Sequence, residues 1–96
     1  MGGIGDFVWD DAKAAANWHH HGLTFDQAVM AFRDPMATET IDAREDYGEE
    51  RINLVGISEG KLLHLTYTRR GEQIRIISAR RANRHEQDDY YRENSR

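Results

Sequence analysis

The sequence contains no cysteine, which excludes disulfides, thiolate metal sites and a cysteine nucleophile, and suits a reducing cytoplasm. No stretch approaches the roughly 18 apolar residues that a membrane span needs, and the N-terminus has neither the basic region nor the apolar core of a secretory signal. Export by that route and membrane association are therefore not expected. Met1-Gly2 opens like an acylation site, but Asp6 stands where that motif needs Ser or Thr. There is no nucleophile elbow, phosphate loop, Gly-rich dinucleotide fingerprint or His-Glu-x-x-His element, which argues against covalent hydrolases and kinases. At 96 residues the chain buries roughly 60 to 65% of its unfolded surface, enough for one small core but not for enclosing a large cofactor. No cofactor is expected, and any active site belongs on a surface or in a shallow cleft.

What is present is charge, at 31% of residues and a net of -4, and it is unevenly placed. Residues 1–60 hold 4 Lys/Arg against 12 Asp/Glu, whereas residues 61–96 hold 9 against 5, so a half at -8 precedes a half at +4. The basic half is almost wholly Arg: Arg69, Arg70, Arg75, Arg80, Arg81, Arg84, Arg92 and Arg96. The planar guanidinium fork suits phosphate or carboxylate, so such a strip fits a polyanion or an acidic protein partner, or simply a solvated face.

Residues 1–6 read as a flexible glycine-rich leader and 7–96 as one domain. Phe7-Val8-Trp9 reads as a very short strand. Asp10 can cap a helix over 11–21, with Trp9 stapled on Ala14 and Gly22 as the stop. Thr24 and Gln27 form a second capping box, Leu23 and Ala28 a second staple, and Phe25, Ala28, Val29 and Phe32 a helical stripe. That helix runs to about Arg33, because Asp34 precedes the single proline, Pro35. Thr38 to Ile41 is β-prone and is followed by a polar loop, Ala43 to Glu50. Arg51 to Ser58, Lys61 to Thr68 and Gln73 to Ala79 form an antiparallel meander, turned at Glu59-Gly60 and at Arg70-Gly71-Glu72. Adjacent Ile76 and Ile77 place the last of these in the sheet interior. Asn83, with Glu86 three residues on, caps a final helix whose only large side chains are Tyr90 and Tyr91; it should dock weakly or be held by a partner. The order β-α-α-β-β-β-β-α predicts an α+β domain with helices packed on an antiparallel sheet.

His19-His20-His21 invites a metal reading, but consecutive helical residues point about 100° apart and cannot close on one ion. In the last helical turn their positive form is favoured by the helix dipole, and one of them can still donate or accept a proton near neutral pH. Metal-free RNA cleavage needs a base for the 2′-hydroxyl, a cation at the phosphorus centre and an acid for the leaving oxygen. Arg69, Arg75, Arg80 and Arg81 are candidate cations, and His20, His21, Glu86 and Tyr90 candidates for the proton transfers. Strand alternation groups Arg75 with Ile77, Ala79 and Arg81, and Arg80 with Ile74, Ile76 and Ser78, so only one set should face a cleft. Trp9, Trp18, Phe25 and Phe32 are assigned to the core.

An ordered set of residues then matches a known family. Phe7-Val8-Trp9-Asp10, Lys13, Asn17 through Gly22, Phe25, Ala28, Phe32 and Asp34 resemble the N-terminal half of the BrnT toxins. The likeness continues through Asp42, Gly48-Glu49, Arg51, Gly56, Tyr67, Arg69, the run Arg75 to Ala82, Glu86 and Tyr90. That resemblance implies a RelE-like fold and a ribonuclease toxin of a type II toxin–antitoxin pair. It also implies neutralisation by a ribbon-helix-helix, BrnA-like antitoxin, with operator DNA bound only through that complex. Carried over by position, Arg69, Arg80 and Glu86 become the leading catalytic candidates, with His21 after them; Arg75, Arg81, His20 and Tyr90 are taken as substrate-binding residues. The family commonly has Lys-His-Gly where this chain has His20-His21-Gly22, which replaces a Lys cation by a pH-dependent one. Each candidate has a structural counterpart: Arg80 paired with Glu86, Arg69 solvated, Glu86 a capping residue, Tyr90 an anchor for its helix. The alternative function is a non-catalytic protein-binding module using the same basic half. A DNA-binding repressor acting alone is disfavoured, since the second helix carries only Arg33 as a basic residue.

Overall fold

The computed structural model describes residues 1–42 and 48–95; most of the polar loop Ala43 to Glu50, and Arg96, lie outside the described residues. Helix α1 spans Asp11–His21, with Asp10 accepting from the backbone N–H groups of Ala12 and Lys13. Gly22 ends it at φ 66°, a left-handed conformation that glycine adopts without steric cost. Helix α2 spans Phe25–Phe32, and both halves of the Thr24/Gln27 capping box are formed.

Residues 1–6, expected to fray, instead contribute strand β1 (Gly2–Ile4), which folds back antiparallel on β2 (Phe7–Trp9). The remaining elements are β3 (Thr38–Asp42), β4 (Arg51–Ser58), β5 (Lys61–Arg70), β6 (Gln73–Arg81) and α3 (Arg84–Glu93). They build one six-stranded sheet in the order β1-β2-β6-β5-β4-β3. The sheet is mixed rather than antiparallel, because β2 lies parallel to β6, with Phe7 opposite Ile74 and Val8 opposite Arg75. Among the described residues no helix is long and apolar enough to cross a membrane.

Helices α1 and α2 cover one face. Phe25, Ala28, Val29 and Ala31 pack there on Leu54, Leu63, Leu65, Tyr67, Ile76 and Ala79, with Trp9 at the margin. Edge-on aromatic contacts join Phe7, Phe32 and Tyr67, with centroid separations of 4.9 and 4.7 Å. Trp18, assigned to the core from sequence, is instead 59% exposed on α1; the neighbouring Asn17 takes the sheet-facing position, and consecutive helical residues point about 100° apart. Glycine at position 56 permits the close approach of α2, since a Cβ there would stand 2.5 Å from the Ala31 carbonyl oxygen.

The opposite face is polar apart from one end, where α3 docks Tyr90 against Leu62, Ala82 and Val55. Polar ties complete that docking. The Tyr90 hydroxyl donates to Asp34 (2.6 Å), Gln87 to the Ala82 carbonyl (3.0 Å) and Asn94 to the Met36 carbonyl (3.0 Å).

Strict alternation fails in β6. Residues Leu63 to Thr66 pair with Arg81 to Ser78, but Tyr67 to Arg70 pair with Ile76 to Gln73, so Ile77 is an extra residue in a β-bulge. The phase of the strand shifts by one residue there. Arg75 opposite Thr68, Ser78 opposite Thr66 and Arg80 opposite His64 therefore share the α3 face. The bulge splits both sets that alternation predicts: Arg75, from one, joins Ser78 and Arg80, from the other, while Ile74, Ile76, Ala79 and Arg81 take the opposite face. Ile76 and Ala79 are left to the core.

Candidate functional site

The site grows from the junction of β6 and α3. At the end of β6, the Ala82 N–H is held by the Leu62 carbonyl (2.9 Å), and Asn83 caps α3 through the Glu86 N–H (2.9 Å). The capping box turns the Glu86 carboxylate back toward the sheet, where Oε1 accepts from the Asn83 N–H at 2.9 Å. Arg80 meets it there in a bidentate pair, Nη1 to Oε1 and Nη2 to Oε2, both at 2.8 Å. On the neighbouring strand, His64 Nε2 stands 3.5 Å from Oε2.

Partial burial pushes the Glu86 pKa up, but the Arg80 hydrogen bonds, the Asn83 N–H and the nearby His64 outweigh it, and the net shift is downward. Glu86 is thus held ionised with both oxygens engaged, which suits it to fixing Arg80 and His64 more than to taking a proton. A shallow cleft of about 210 Å³ opens beside the pair, lined by Thr38, Thr40, Asn53, His64, Glu86 and Asp89.

Arg75 lies on the same face at the other end of β6, with its guanidinium 4.0 Å from Asp10 Oδ2. His20 and His21 end α1 beside the edge of β6. With Lys13 and Ser78 they line a second shallow groove. Asn17 fixes that helix: its side-chain N–H donates to the Leu23 carbonyl (3.1 Å) and its Oδ1 accepts the Ala79 N–H (2.9 Å), beyond the point where β2 ends. Arg80, Glu86 and Arg75 therefore stand on the α3 face, while His20 and His21 line a separate groove between α1 and the edge of β6.

Three predicted residues stand apart. Arg69, opposite Ile74, belongs to the α1/α2 face and places its guanidinium 5.9 Å from the Tyr67 ring centroid. The Tyr67 hydroxyl there donates to Glu39. Burial, followed by that carboxylate, pushes the Tyr67 pKa up to about 12. Arg81, opposite Leu63, shares this face. Tyr90 is buried, with a pKa likewise pushed up to about 12, first by burial and then by Asp34. It anchors α3 instead of opening onto the cleft.

His64 and Asn17 were missed in the sequence. His64 reaches Glu86 only because the bulge sets it opposite Arg80, a register that no local pattern announces. Asn17 shows as a polar residue one turn before the C-terminus of α1, on the stripe that faces the sheet; that position was its one available signal.

A comparison with curated protein sequences returns no match. The family model described as the ribonuclease toxin BrnT of type II toxin–antitoxin systems matches residues 9–86. That stretch runs from the last residue of β2 through the capping carboxylate of α3, and so takes in Arg75, Arg80, His64, Glu86 and the three histidines that end α1. With most of the chain and the whole polar cluster inside the match, the protein belongs to the BrnT family of ribonuclease toxins of type II toxin–antitoxin systems.

Proposed function

We propose that this protein is an endoribonuclease that cleaves RNA without a metal ion on the α3 face of its sheet, within a RelE-like fold, and thereby arrests translation. The observation that carries the reading is the Arg80–Glu86 pair, held at 2.8 Å beside His64 inside the family-matched stretch. A guanidinium fixed in advance loses little freedom when charge develops on a phosphate, which is how preorganised cations lower a barrier.

In the reaction we envisage, a 2′-hydroxyl loses its proton to a base and its oxygen bonds to the adjacent phosphorus. The bond from phosphorus to the 5′-oxygen breaks, and that oxygen takes a proton from an acid. The products are a 2′,3′-cyclic phosphate and a free 5′-hydroxyl. Arg80 holds the phosphoryl oxygens, Glu86 positions Arg80, Arg75 steadies the strand, and the imidazoles of His20 and His21 at the edge of β6 supply the proton transfers. Neutralisation falls to a ribbon-helix-helix, BrnA-like antitoxin, which also carries the contact with operator DNA.

Full engagement of both Arg80 Nη atoms by Glu86 favours a second reading, in which the pair is structural and the protein is a non-catalytic binding module. Induced expression in a bacterial host separates the two. Growth arrest with RNA loss for the unmodified protein, relieved by a folded Arg80→Ala variant, supports the ribonuclease reading. Soluble, folded protein that leaves growth and RNA intact supports the binding module.

A further inference from the structure

The groove between α1 and β6 holds, beside His20 and His21, a cation to which the reaction above gives no role, Lys13. Lys13, Asn17 and His20 follow one another at spacings of four and three residues, so they share one stripe of α1. Asn17, tied to Leu23 and Ala79, fixes that stripe against the strand edge. Lys13 and His20 flank it, with His21 and Ser78 completing a depression of about 190 Å³.

The cations of the sheet face and of α3 are largely engaged: Arg80 with Glu86, Arg75 beside Asp10, Arg84 with Asp88 and Arg92 with Asp89. By contrast, the side chains of Lys13, His20 and His21 form no ion pair within 4.0 Å among the described residues, although Asp10 feels the charge of Lys13, and all three are exposed. Ser78 adds a hydroxyl, and it lies two residues from Arg80 on the same face of β6, about 6.6 Å along a strand rising 3.3 Å per residue. An ammonium on a flexible stem, a hydroxyl and two imidazoles, with no carboxylate lining the groove, make a receptor for an anion. A chain that already holds one phosphodiester at Arg80 presents the next one within that reach.

We propose that the α1–β6 groove is a phosphodiester-binding subsite, in which Lys13 supplies the permanent cation that holds the RNA strand one nucleotide from the phosphate at Arg80. The proposal rests on the ribonuclease reading. Lys13 here is a substrate-binding residue and takes no part in the proton transfers.

The test is fluorescence anisotropy with a labelled, fully 2′-O-methylated oligoribonucleotide, which binds but cannot be cleaved, titrated at several salt concentrations. Each single-strand phosphate contact contributes about 0.7 to the slope of log K against log salt. Lys13→Ala is therefore expected to lower that slope by about 0.7 and to weaken binding about fivefold at roughly 0.1 M salt. Lys13→Arg should restore both. Lys61→Ala, which removes an exposed lysine at the start of β5, should change neither. Alanine at an exposed helical position keeps the helix, so the variant folds. Wild-type affinity and slope in Lys13→Ala, or an equal loss in Lys61→Ala, would overturn the subsite while leaving the ribonuclease reading standing. No binding by the unmodified protein would overturn that reading, and the subsite with it.

Discussion

Replacing Glu86 by Gln isolates the charge at the centre of the site. Gln is isosteric and is equally acceptable at the third position of a capping box, so α3 keeps its start. What disappears is the countercharge to Arg80. The pair lies between two regimes, with the Arg80 and Glu86 side chains 36% and 18% exposed. Fully exposed ion pairs contribute about 0 to 1 kcal/mol, and hydrogen bonds to charged groups about 1.5 to 3 kcal/mol. A loss of about 1 to 2 kcal/mol at neutral pH follows, which for a domain of this size lowers Tm by roughly 4 to 16 °C. The pH dependence has a definite sign. Because the folded-state pKa of Glu86 lies below its ordinary value of 4.5, its contribution is present above that value and is lost as pH falls through the folded pKa. Melting followed by circular dichroism from pH 7 to pH 3 should show the two proteins far apart at neutral pH and converging below about 4.5. Curves that coincide at pH 7, or that stay equally separated down to pH 3, would refute the assignment of a stabilising charged pair.

Gly56→Ala places a Cβ 2.5 Å from the Ala31 carbonyl oxygen and 3.3 Å from the Ala37 Cβ, so α2 has to lift from β4. A cost of about 1 to 3 kcal/mol is expected as a lower urea midpoint with an unchanged slope, and an unchanged midpoint would contradict the close approach. Asn17→Leu orphans the Leu23 carbonyl and the Ala79 N–H, and about 2 to 4 kcal/mol should be lost; a loss under about 0.5 kcal/mol would show that these groups find other partners. Tyr90→Phe removes the hydrogen bond to Asp34 that ties α3 to the turn after α2. Hydrogen exchange should accelerate in the α3 amides while the amides of β5 are unaffected, and unaltered exchange in α3 would remove the tie as a cause of its docking.

The helix boundaries were legible because caps are local. Asp10, the Thr24/Gln27 box, Gly22 and the Asn83/Glu86 box each satisfy backbone groups within a few residues, and the structure forms all of them. The meander of β4, β5 and β6 was legible from two short turns. Strand β1 was not, since three residues that include two glycines carry no periodicity and gain their order only by pairing with β2. The parallel pairing of β2 with β6 joins segments more than sixty residues apart, for which no local pattern exists.

In the site, Arg80 and Glu86 lie six residues apart across one turn, and their pairing was foreseeable from that spacing. The face on which Arg75 stands was not. One inserted residue, Ile77, reverses the parity that alternation assigns. The same bulge brings His64 opposite Arg80, and Arg69, beyond it on β5, belongs to the other face.

The most direct test of the central claim is incubation of the purified protein with a defined RNA in the presence of a metal chelator, followed by analysis of the new ends. Metal-free attack by the 2′-hydroxyl predicts cleavage that persists in chelator, leaves 2′,3′-cyclic phosphate and 5′-hydroxyl ends, and falls sharply in a folded Arg80→Ala variant. Cleavage abolished by the chelator, 5′-phosphate ends, or full activity in Arg80→Ala would contradict it.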